Sequence, residues 1–328
     1  MDTRAELYLR VKKWESHAQD ARDAYPYRIL LDDVLFHAER FREYLPYDDE
    51  GEFPSRLKSW LDNVLEAEQR VLLRMLQWIL FVDRRQMAAM YRDAYRRIVT
   101  PWLLDDLSLD ERLSPDFEAN TRRALLGCRL LSVTESFNIT EFIDSNSLHG
   151  LHRPDILGHD PKQLASRLGE KALAWERVIV FEDFVGSGQQ AGRLLTALEK
   201  LIPRAQILFV PMICFEIGVV ALTEHKALKR TLVAPVLVVP AGDAIQPAAQ
   251  PSEPFEFGEF RAIIRRTSSR VLQPLTDLDD PPRSPFGYGD CGGMVITYHN
   301  VPNNTIPLVH HRAPEWNPLF RRLVHAKG

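Results

Sequence analysis

The sequence has few cysteines, little net charge and no long apolar run, and each shortage excludes a class of protein. Three cysteines in 328 residues, far apart and odd in number, form neither a disulfide framework nor a zinc-binding spacing. A net charge of −4 gives no reason to expect a nucleic-acid-binding surface. No apolar run approaches the roughly 18 residues of a membrane span, and no signal peptide opens the chain. We therefore expect a soluble, cytoplasmic protein with no membrane partner.

The N-terminal third has the apolar spacing of helices. Apolar residues recur every three or four positions in four stretches, which lie at residues 7–21, 30–45, 64–79 and 87–98. Breakers at Pro46, Gly51 and Pro54 fall between them. The pattern predicts an array of about four antiparallel helices over residues 1–107. This helical domain is interpreted either as a docking or oligomerisation module or as a structural appendage.

The most informative stretch lies at residues 177–198. A buried strand is predicted at residues 177–181, and Glu182 and Asp183 follow it. A Gly-Ser-Gly turn then leads into a predicted helix that begins near Ala191. Turn amides and a helix N-terminus attract anions, and open α/β sheets bind ligands at the carboxyl ends of their strands. The arrangement fits a sugar phosphate, with the phosphate on the turn and the ribose hydroxyls on the carboxylates.

A less specific interpretation of the same stretch stays open. Gly-Ser-Gly after a strand is common in α/β proteins, and an acidic pair also occurs at solvated strand ends. The order of residues nevertheless resembles the signature of type I phosphoribosyltransferases: four apolar residues, two acidic ones, three variable ones, then Thr/Ser-Gly-x-Thr/Ser. The chain departs from this signature at Gln190, where the family has a hydroxyl. A side-chain phosphate contact is therefore lost or replaced by an amide.

The resemblance implies roles for particular residues. It makes Glu182 and Asp183 the catalytic pair that binds the ribose hydroxyls. It places the phosphate on Phe184, Val185, Gly186, Ser187, Gly188, Gln189 and Gln190. The loops that precede the signature strand in the family grip pyrophosphate and close over the reaction. By resemblance, Thr134, Glu135 and Ser136 form a pyrophosphate loop, and the segment with His149, His152 and Arg153 forms a mobile flap. The two histidines alone do not make a metal site.

Strands and helices alternate after the signature. Strands are predicted at residues 205–211 and 234–240, and helices at 215–225 and 258–272. Continuously apolar strands between helices predict a parallel sheet covered on both faces. The fold class expected is therefore α/β, a parallel-sheet phosphoribosyltransferase-like domain over residues 108–328 that follows the all-α domain. Four arginines of the last helix face either an anion or solvent: Arg261, Arg265, Arg266 and Arg270.

The C-terminal stretch is rich in glycine, asparagine and proline. A glycine-rich turn at residues 287–293 precedes a strand and a polar loop. His299 and Asn300, with Asn303 and Asn304, either hold a base, amide or phosphate or form turns with their own backbone. Together with the signature and the helical N-terminal part, this stretch resembles the phosphoribosyltransferase-like effectors of bacterial conflict systems, including those beside retron reverse transcriptases.

The resemblance implies a ligand, a cofactor and partners. The ligand is 5-phosphoribosyl-1-pyrophosphate or a nucleotide, and Mg²⁺ accompanies it with few protein ligands and no dedicated metal-binding residue. The activity is a glycosyl transfer of the phosphoribosyltransferase type or a hydrolysis of the nucleotide, in an antiphage effector. A protein partner, a second copy of the chain or a reverse transcriptase complex would meet the helical domain. The alternative is an inactive ligand sensor or scaffold of the same fold, which Gln190 favours. A Rossmann NAD enzyme is disfavoured because no G-x-G-x-x-G follows a first strand.

Overall fold

In the computed structural model, the chain is described over residues 2–16, 25–44, 51–105, 107–151, 155–158, 160–275 and 282–322. Helices predominate up to residue 127, and strands are interspersed with helices beyond it. The helices are α1 Thr3–Ser16, α2 Tyr27–Phe41, α3 Phe53–Leu61, α4 Glu66–Met75, α5 Arg84–Asp93, α6 Thr100–Leu104, α7 Leu109–Leu113, α8 Phe117–Gly127, α9 Ile139–Ser145, α10 Leu164–Leu168, α11 Gln189–Leu201, α12 Glu216–Thr223, α13 Phe257–Val271 and α14 Pro307–His310. The strands are β1 Leu80–Val82, β2 Arg129–Ser132, β3 Asp155–Ile156, β4 Arg177–Val185, β5 Gln206–Phe215, β6 Thr231–Val233, β7 Leu237–Val239 and β8 Val295–Thr297.

The chain divides into two compact units. The first combines Met1–Arg84 with Gly242–Gly328, and the second is Arg85–Ala241. The expected division between residues 107 and 108 does not coincide with this one. The difference arises because residues 242–328 pack with the N-terminal helices. Local sequence patterns do not predict which distant segments pack together.

The first unit joins the two ends of the chain. β1 pairs in parallel with β8, with Phe81 opposite Ile296. Trp60 and Trp316 are fully buried, and both indole Nε1 atoms donate to the carbonyl oxygen of Leu308 at 2.9 Å. A buried indole N–H needs an acceptor, so these two bonds tie α3 and the C-terminal segment to α14.

The second unit is built on a parallel sheet, which confirms the expected α/β class. Its strand order is β3-β2-β4-β5-β6, and β7 also pairs with β5. All pairings are parallel, and β6 and β7 lie one after the other along β5. Strands β4 and β5 are almost wholly buried because they lie in the centre of the sheet.

The strand order creates a switch point beside β4. The chain passes outward from β2 to β3 and then returns across β2 to β4, after which it continues in the other direction to β5. The loops that follow β2 and β4 therefore leave the sheet from adjacent carboxyl ends and diverge. Open α/β sheets form their ligand crevices at such a point.

Several predicted element boundaries were wrong. Helix α3 begins at Phe53 because a proline is tolerated in the first turn, so Pro54 starts a helix rather than breaking one. Helices α6 and α7 lie on either side of the predicted boundary at residue 107, and Ser108 and Glu111 form a capping box at the start of α7. Helix α8 follows at Phe117.

Three further differences concern strands and a loop. The irregular stretch at residues 134–158 contains α9, which Asn138 caps by accepting from the Glu141 amide at 3.2 Å. The strand predicted at residues 234–240 is shorter, Leu237–Val239, and β6 before it was not predicted.

No helix among the described residues combines the length and the apolarity that crossing a membrane requires.

Candidate functional site

The acidic pair lies on a part of β4 that extends past its neighbour β2. The last paired residues of these two strands are Ser132 and Phe181, whereas β4 stays paired with β5 as far as Val185. Glu182 and Asp183 therefore have β5 on one side and the loop that follows β2 on the other. The sequence placed the pair at the end of the strand, but the strand runs two residues beyond it.

Both carboxylates are buried and held by that loop. Glu182 is 7% exposed and Asp183 is 9% exposed. The Thr134 amide donates to Glu182 Oε2 at 3.1 Å, and Thr134 Oγ1 lies 3.1 Å from Oε1. Ser136 Oγ donates to Asp183 Oδ1 at 2.8 Å. The structure thus brings the predicted loop residues Thr134 and Ser136 onto the predicted acidic pair, while the side chain of Glu135 is exposed.

The environment of Glu182 disfavours its negative charge. Burial first, and then the negative charge of Asp183, raise the pKa of the Glu182 carboxyl well above its ordinary value. The Thr134 hydroxyl and amide act in the opposite direction but do not cancel the effect. A carboxyl group whose pKa is raised by burial beside a second acid is a typical feature of functional sites.

A cluster of aromatic rings fixes the loop against the sheet. Phe137 stacks on Phe181 with ring centroids 4.9 Å apart and planes 5° apart. Phe142 of α9 lies 4.8 Å from the same ring, and Tyr91 of α5 contacts Phe137 edge-to-face. Sequence reasoning missed this cluster, because aromatic residues far apart in the chain give no local signal. It positions Thr134 and Ser136 by anchoring the residue next to them.

The turn after β4 is the predicted Gly-Ser-Gly turn. Phe184 and Val185 belong to the strand, so the turn consists of Gly186, Ser187 and Gly188. Gly188 has φ +74° and precedes α11, which begins at Gln189 rather than near Ala191. A left-handed conformation at this position favours glycine, and the first turn of α11 contains no acidic residue. Its amides and the positive end of its dipole are therefore suited to an anion.

The turn packs closely on α12. A Cβ atom at Gly218 would lie only 2.2 Å from the Gly186 carbonyl oxygen, and one at Gly188 would lie 3.0 Å from the Gly218 oxygen. Position 218 therefore needs glycine if the turn is to keep its place. Sequence reasoning missed Gly218, although a lone glycine in an apolar helix is a signal of close backbone approach.

The residues predicted around the turn differ in exposure. Ser187 and Gln190 are half-buried, and the side chain of Gln189 is exposed. His149 of the predicted flap is exposed and lies 3.9 Å from Asp144. His152 and Arg153 lie outside the described residues. Among the residues that are described, no group of three or more metal-binding side chains occurs.

His299 and Asn300 belong to the other compact unit. Asn300 closes a turn after β8, since its carbonyl oxygen accepts from the Thr297 amide at 3.1 Å and from Thr297 Oγ1 at 2.7 Å. Asn304 Nδ2 donates to the Tyr288 carbonyl oxygen at 2.8 Å. His299 is half-buried and contacts the Tyr298 ring. The side chain of Asn304 thus binds the backbone of the glycine-rich turn, and the ligand-binding alternative for His299 and Asn300 stays a prediction.

The four arginines of α13 are occupied by protein groups. Arg261 pairs with Glu253, and Arg266 pairs with Glu68. Arg265 donates to the Pro247 carbonyl oxygen at 2.6 Å, and Arg270 donates to that of Asn63 at 2.9 Å. Arg265 and Arg266 are nevertheless exposed, as the solvated alternative predicted, whereas Arg261 is buried.

Comparisons with known proteins give one match. The model of the family described as PRTase-CE matches residues 57–322, more than three quarters of the chain. The matched range includes Thr134, Ser136, the acidic pair and the turn after β4. No curated protein and no solved structure matches the chain.

Proposed function

Since the chain belongs to the PRTase-CE family, which is of the phosphoribosyltransferase type, we propose that it binds 5-phosphoribosyl-1-pyrophosphate or a related nucleotide beside β4. We further propose that it transfers or cleaves the ribosyl group of this ligand. The observation that carries the proposal is the buried pair Glu182 and Asp183, which lies at the switch point between two diverging loops. Ligands of open α/β sheets bind at this point.

The two loops offer complementary groups to a sugar phosphate. The turn before α11 presents amides and the helix dipole to the 5′-phosphate, with Ser187 Oγ as a further donor. Three residues back along β4, the carboxyls of Glu182 and Asp183 accept hydrogen bonds from the ribose hydroxyls. The loop at residues 134–136 lies on the acidic pair and would contact the pyrophosphate.

Such a site acts through placement and charge. The bond between C1′ and the pyrophosphate oxygen breaks, and the pyrophosphate leaves with the electron pair. A nitrogen nucleophile or a water molecule then bonds to C1′ and loses a proton. The carboxyl pair stabilises the positive charge that develops on the ribose. Mg²⁺ belongs to the substrate in this scheme, since it neutralises the pyrophosphate oxygens, and we assign no protein side chain to it.

The biological role that we propose is that of an antiphage effector. Its support is the resemblance of the signature and the C-terminal stretch to effectors of conflict systems. A protein partner, such as a reverse transcriptase complex, or a second copy of the chain would bind the helical N-terminal region. The second candidate is a ligand sensor or scaffold that binds without turnover. Gln190 favours it, because the position lacks the hydroxyl of the signature.

Calorimetry tests the binding site. The protein is titrated with 5-phosphoribosyl-1-pyrophosphate and Mg²⁺ beside a Glu182→Ala/Asp183→Ala double variant. The control is Glu118→Ala/Glu170→Ala, which removes two carboxyl groups from exposed positions of the same unit. We expect the wild type and the control to bind and the acidic-pair variant to lose at least tenfold in affinity, or about 1.4 kcal/mol. Equal binding by all three, or by none, would overturn the assignment.

A turnover assay separates the two candidate functions. The wild type is incubated with the same ligand and Mg²⁺, and released pyrophosphate and ribose 5-phosphate are measured with and without nitrogen acceptors. Pyrophosphate release that the double variant loses identifies an enzyme. Binding without release identifies the sensor.

A further inference from the structure

A continuous line of oxygen atoms joins the two acidic side chains. It runs from Glu182 Oε1 to Thr134 Oγ1 over 3.1 Å, from there to Ser136 Oγ over 2.5 Å, and on to Asp183 Oδ1 over 2.8 Å. The other Glu182 oxygen, Oε2, accepts from the Thr134 amide. All four side chains lie in the buried or half-buried part of the site.

The number of protons in this line is fixed by its chemistry. Each of its three oxygen-to-oxygen contacts is a hydrogen bond only if a proton lies between the two oxygens. The hydroxyls of Thr134 and Ser136 supply one proton each, and ionised carboxylates supply none. Two protons cannot satisfy three contacts, and two oxygens in contact without a proton repel each other. A third proton on one carboxyl completes the line.

We propose that Glu182 and Asp183 share a single proton through Thr134 and Ser136, so that the ligand-free pair carries one negative charge. In the favoured arrangement, Glu182 Oε1–H donates to Thr134, Thr134 donates to Ser136, and Ser136 donates to ionised Asp183. If each proton moves one oxygen along, the carboxyl proton passes from Glu182 to Asp183 with no change in total charge. Thr134 and Ser136 are then positioning residues that hold this proton.

The surroundings of the pair support the placement of the proton on Glu182. Burial and the Asp183 charge raise the pKa of the Glu182 carboxyl, and the amide of Thr134 lies at Oε2, which leaves Oε1 for the proton. The flanking strand β5 has no charged residue in its sequence. The titratable or charged side chains on the elements packed here are Arg84, Arg85, Tyr91, Arg92 and Asp93 on α5, Arg129 on β2, Glu135 in the loop, Glu141 and Asp144 on α9, Cys214 on β5 and Glu216 on α12. Of these, Arg129 pairs with Asp155, and Glu216 accepts from the Ala241 amide.

The shared proton has a consequence that rests on the proposed function. A phosphoribosyl pyrophosphate carries several negative charges, and two ionised carboxylates in a buried site would repel it. A pair with one charge repels it less and still offers acceptor oxygens to the ribose hydroxyls. Glu182→Gln imitates the protonated side chain, because its amide N–H donates to Thr134 and its oxygen accepts from the Thr134 amide.

The experiment follows the carboxyl groups in the ligand-free protein, so its result does not depend on the proposed ligand. Glutamate is labelled with ¹³C at the side-chain carboxyl, and its NMR signals are followed against pH. We expect one signal, absent in Glu182→Gln, whose titration midpoint lies above those of the other glutamates. If no such signal exists, or if the Glu182 signal titrates with the others, the proposal is overturned.

Two variants test the hydroxyl line itself. Ser136→Ala removes the contact to Asp183 and frees the Thr134 hydroxyl to donate to Glu182, so the midpoint of Glu182 should fall. Ser166→Ala, which removes an exposed hydroxyl bonded to the Gln163 carbonyl oxygen, should leave it unchanged. If Ser136 has only a structural role, the titration midpoint of Glu182 should be the same in Ser136→Ala as in the wild type. That result would contradict the proposal.

Ligand affinity then provides a second readout. If the wild type binds the phosphoribosyl ligand, Glu182→Ala should lose at least tenfold in affinity and Glu182→Gln should lose less than Glu182→Ala. Equal losses of affinity in Glu182→Gln and Glu182→Ala would overturn the proposal that the pair carries a single negative charge. A wild type that binds no ligand would refute the proposed function and leave the proton measurement standing.

Discussion

The molecule contains two glycine-rich turns that look alike in sequence and differ in structure. The turn at residues 186–188 begins α11 beside the acidic pair, and Ser187 in its middle is half-buried. The turn at residues 287–293 is closed in by its own chain. Gly292 has φ +65°, and a Cβ atom there would lie 2.1 Å from the Ile245 carbonyl oxygen. The first turn ends at the start of a helix, where backbone amides are suited to an anion, whereas the second is enclosed by the backbone around Ile245.

The comparison teaches that glycine content alone does not identify a binding loop. Position relative to the sheet decides the matter, because the first turn follows a central parallel strand at a switch point and the second does not. If this distinction is correct, substitutions in the two turns should have separate effects, with stability lost at the second and ligand affinity lost near the first.

The largest effect is expected at the second turn. Gly292→Ala forces a side chain into a left-handed backbone position and against a carbonyl oxygen, and we expect a loss of about 3–5 kcal/mol in the free energy of unfolding. Urea denaturation measures it. The matched control is Gly258→Ala in α13, where a Cβ atom meets nothing within 4 Å, and it should be neutral or slightly stabilising. Equal stability of the two variants would contradict the packing role.

The next effect depends on pH and concerns the segment that the second turn packs against. His310 is buried, and its Nε2 lies 3.0 Å from the Thr305 carbonyl oxygen. Burial, and then the charge of Arg322, lower the pKa of His310 to about 3. Below pH 6.5, His310 therefore binds a proton in the unfolded chain but stays neutral in the folded chain until the pH approaches 3. The stability that is present above pH 6.5 is consequently lost as the pH falls toward 3.

The size of this loss follows from the two pKa values. By pH 4 it should reach about 3 kcal/mol. Urea denaturation from pH 7 to pH 4 measures it as the difference between the wild type and His310→Gln, which keeps a donor for Thr305 but does not titrate. Glu182 changes the free energy of unfolding with pH in the opposite direction, because its raised pKa contributes stability that is lost as the pH rises. This contribution is the same in the wild type and in His310→Gln, so it cancels in the difference. Parallel curves would show that His310 is not the group responsible.

The smallest effect on stability is expected beside the first turn. Gly218→Ala places a Cβ atom against the Gly186 carbonyl oxygen, so the turn must shift. We expect a loss of about 1–3 kcal/mol in stability and of at least tenfold in affinity for the phosphoribosyl ligand. Gly127→Ala, whose added Cβ atom meets nothing within 4 Å, is the control in the same unit. A normal affinity in Gly218→Ala would mean that the turn does not contact the ligand.

The sequence predicted the elements that are encoded locally. Continuous apolar runs identified β4 and β5, and apolar periodicity identified α13 within one residue at each end. The acidic pair was singled out through a short signature, whose spacing is typical of a strand, a turn and a helix start. Thr134 and Ser136 were singled out by the family resemblance alone, as part of a loop that precedes the signature strand.

Contacts between residues far apart in the chain could not be predicted from the sequence. The pairing of β1 with β8 joins residues more than 200 positions apart. Strands of three residues have too little periodicity for the sequence to predict either strand. The same holds for the line of hydroxyls between Glu182 and Asp183, because a hydrogen bond between loop residues and a strand 47 positions away depends on where the loop folds back. The aromatic cluster was missed for the same reason, whereas Gly218 carried a local signal, a lone glycine in an apolar helix.

The pairing of β1 with β8 has a consequence for how the protein is made. The second unit is one continuous segment, Arg85–Ala241, so all of it is synthesised before residues 242–328 of the first unit. Helices α1–α4 are made before β8, α13 and α14, which complete the packing of their unit. We expect newly made chains to expose part of the apolar surface of these helices during synthesis, so that the first unit is completed after the second.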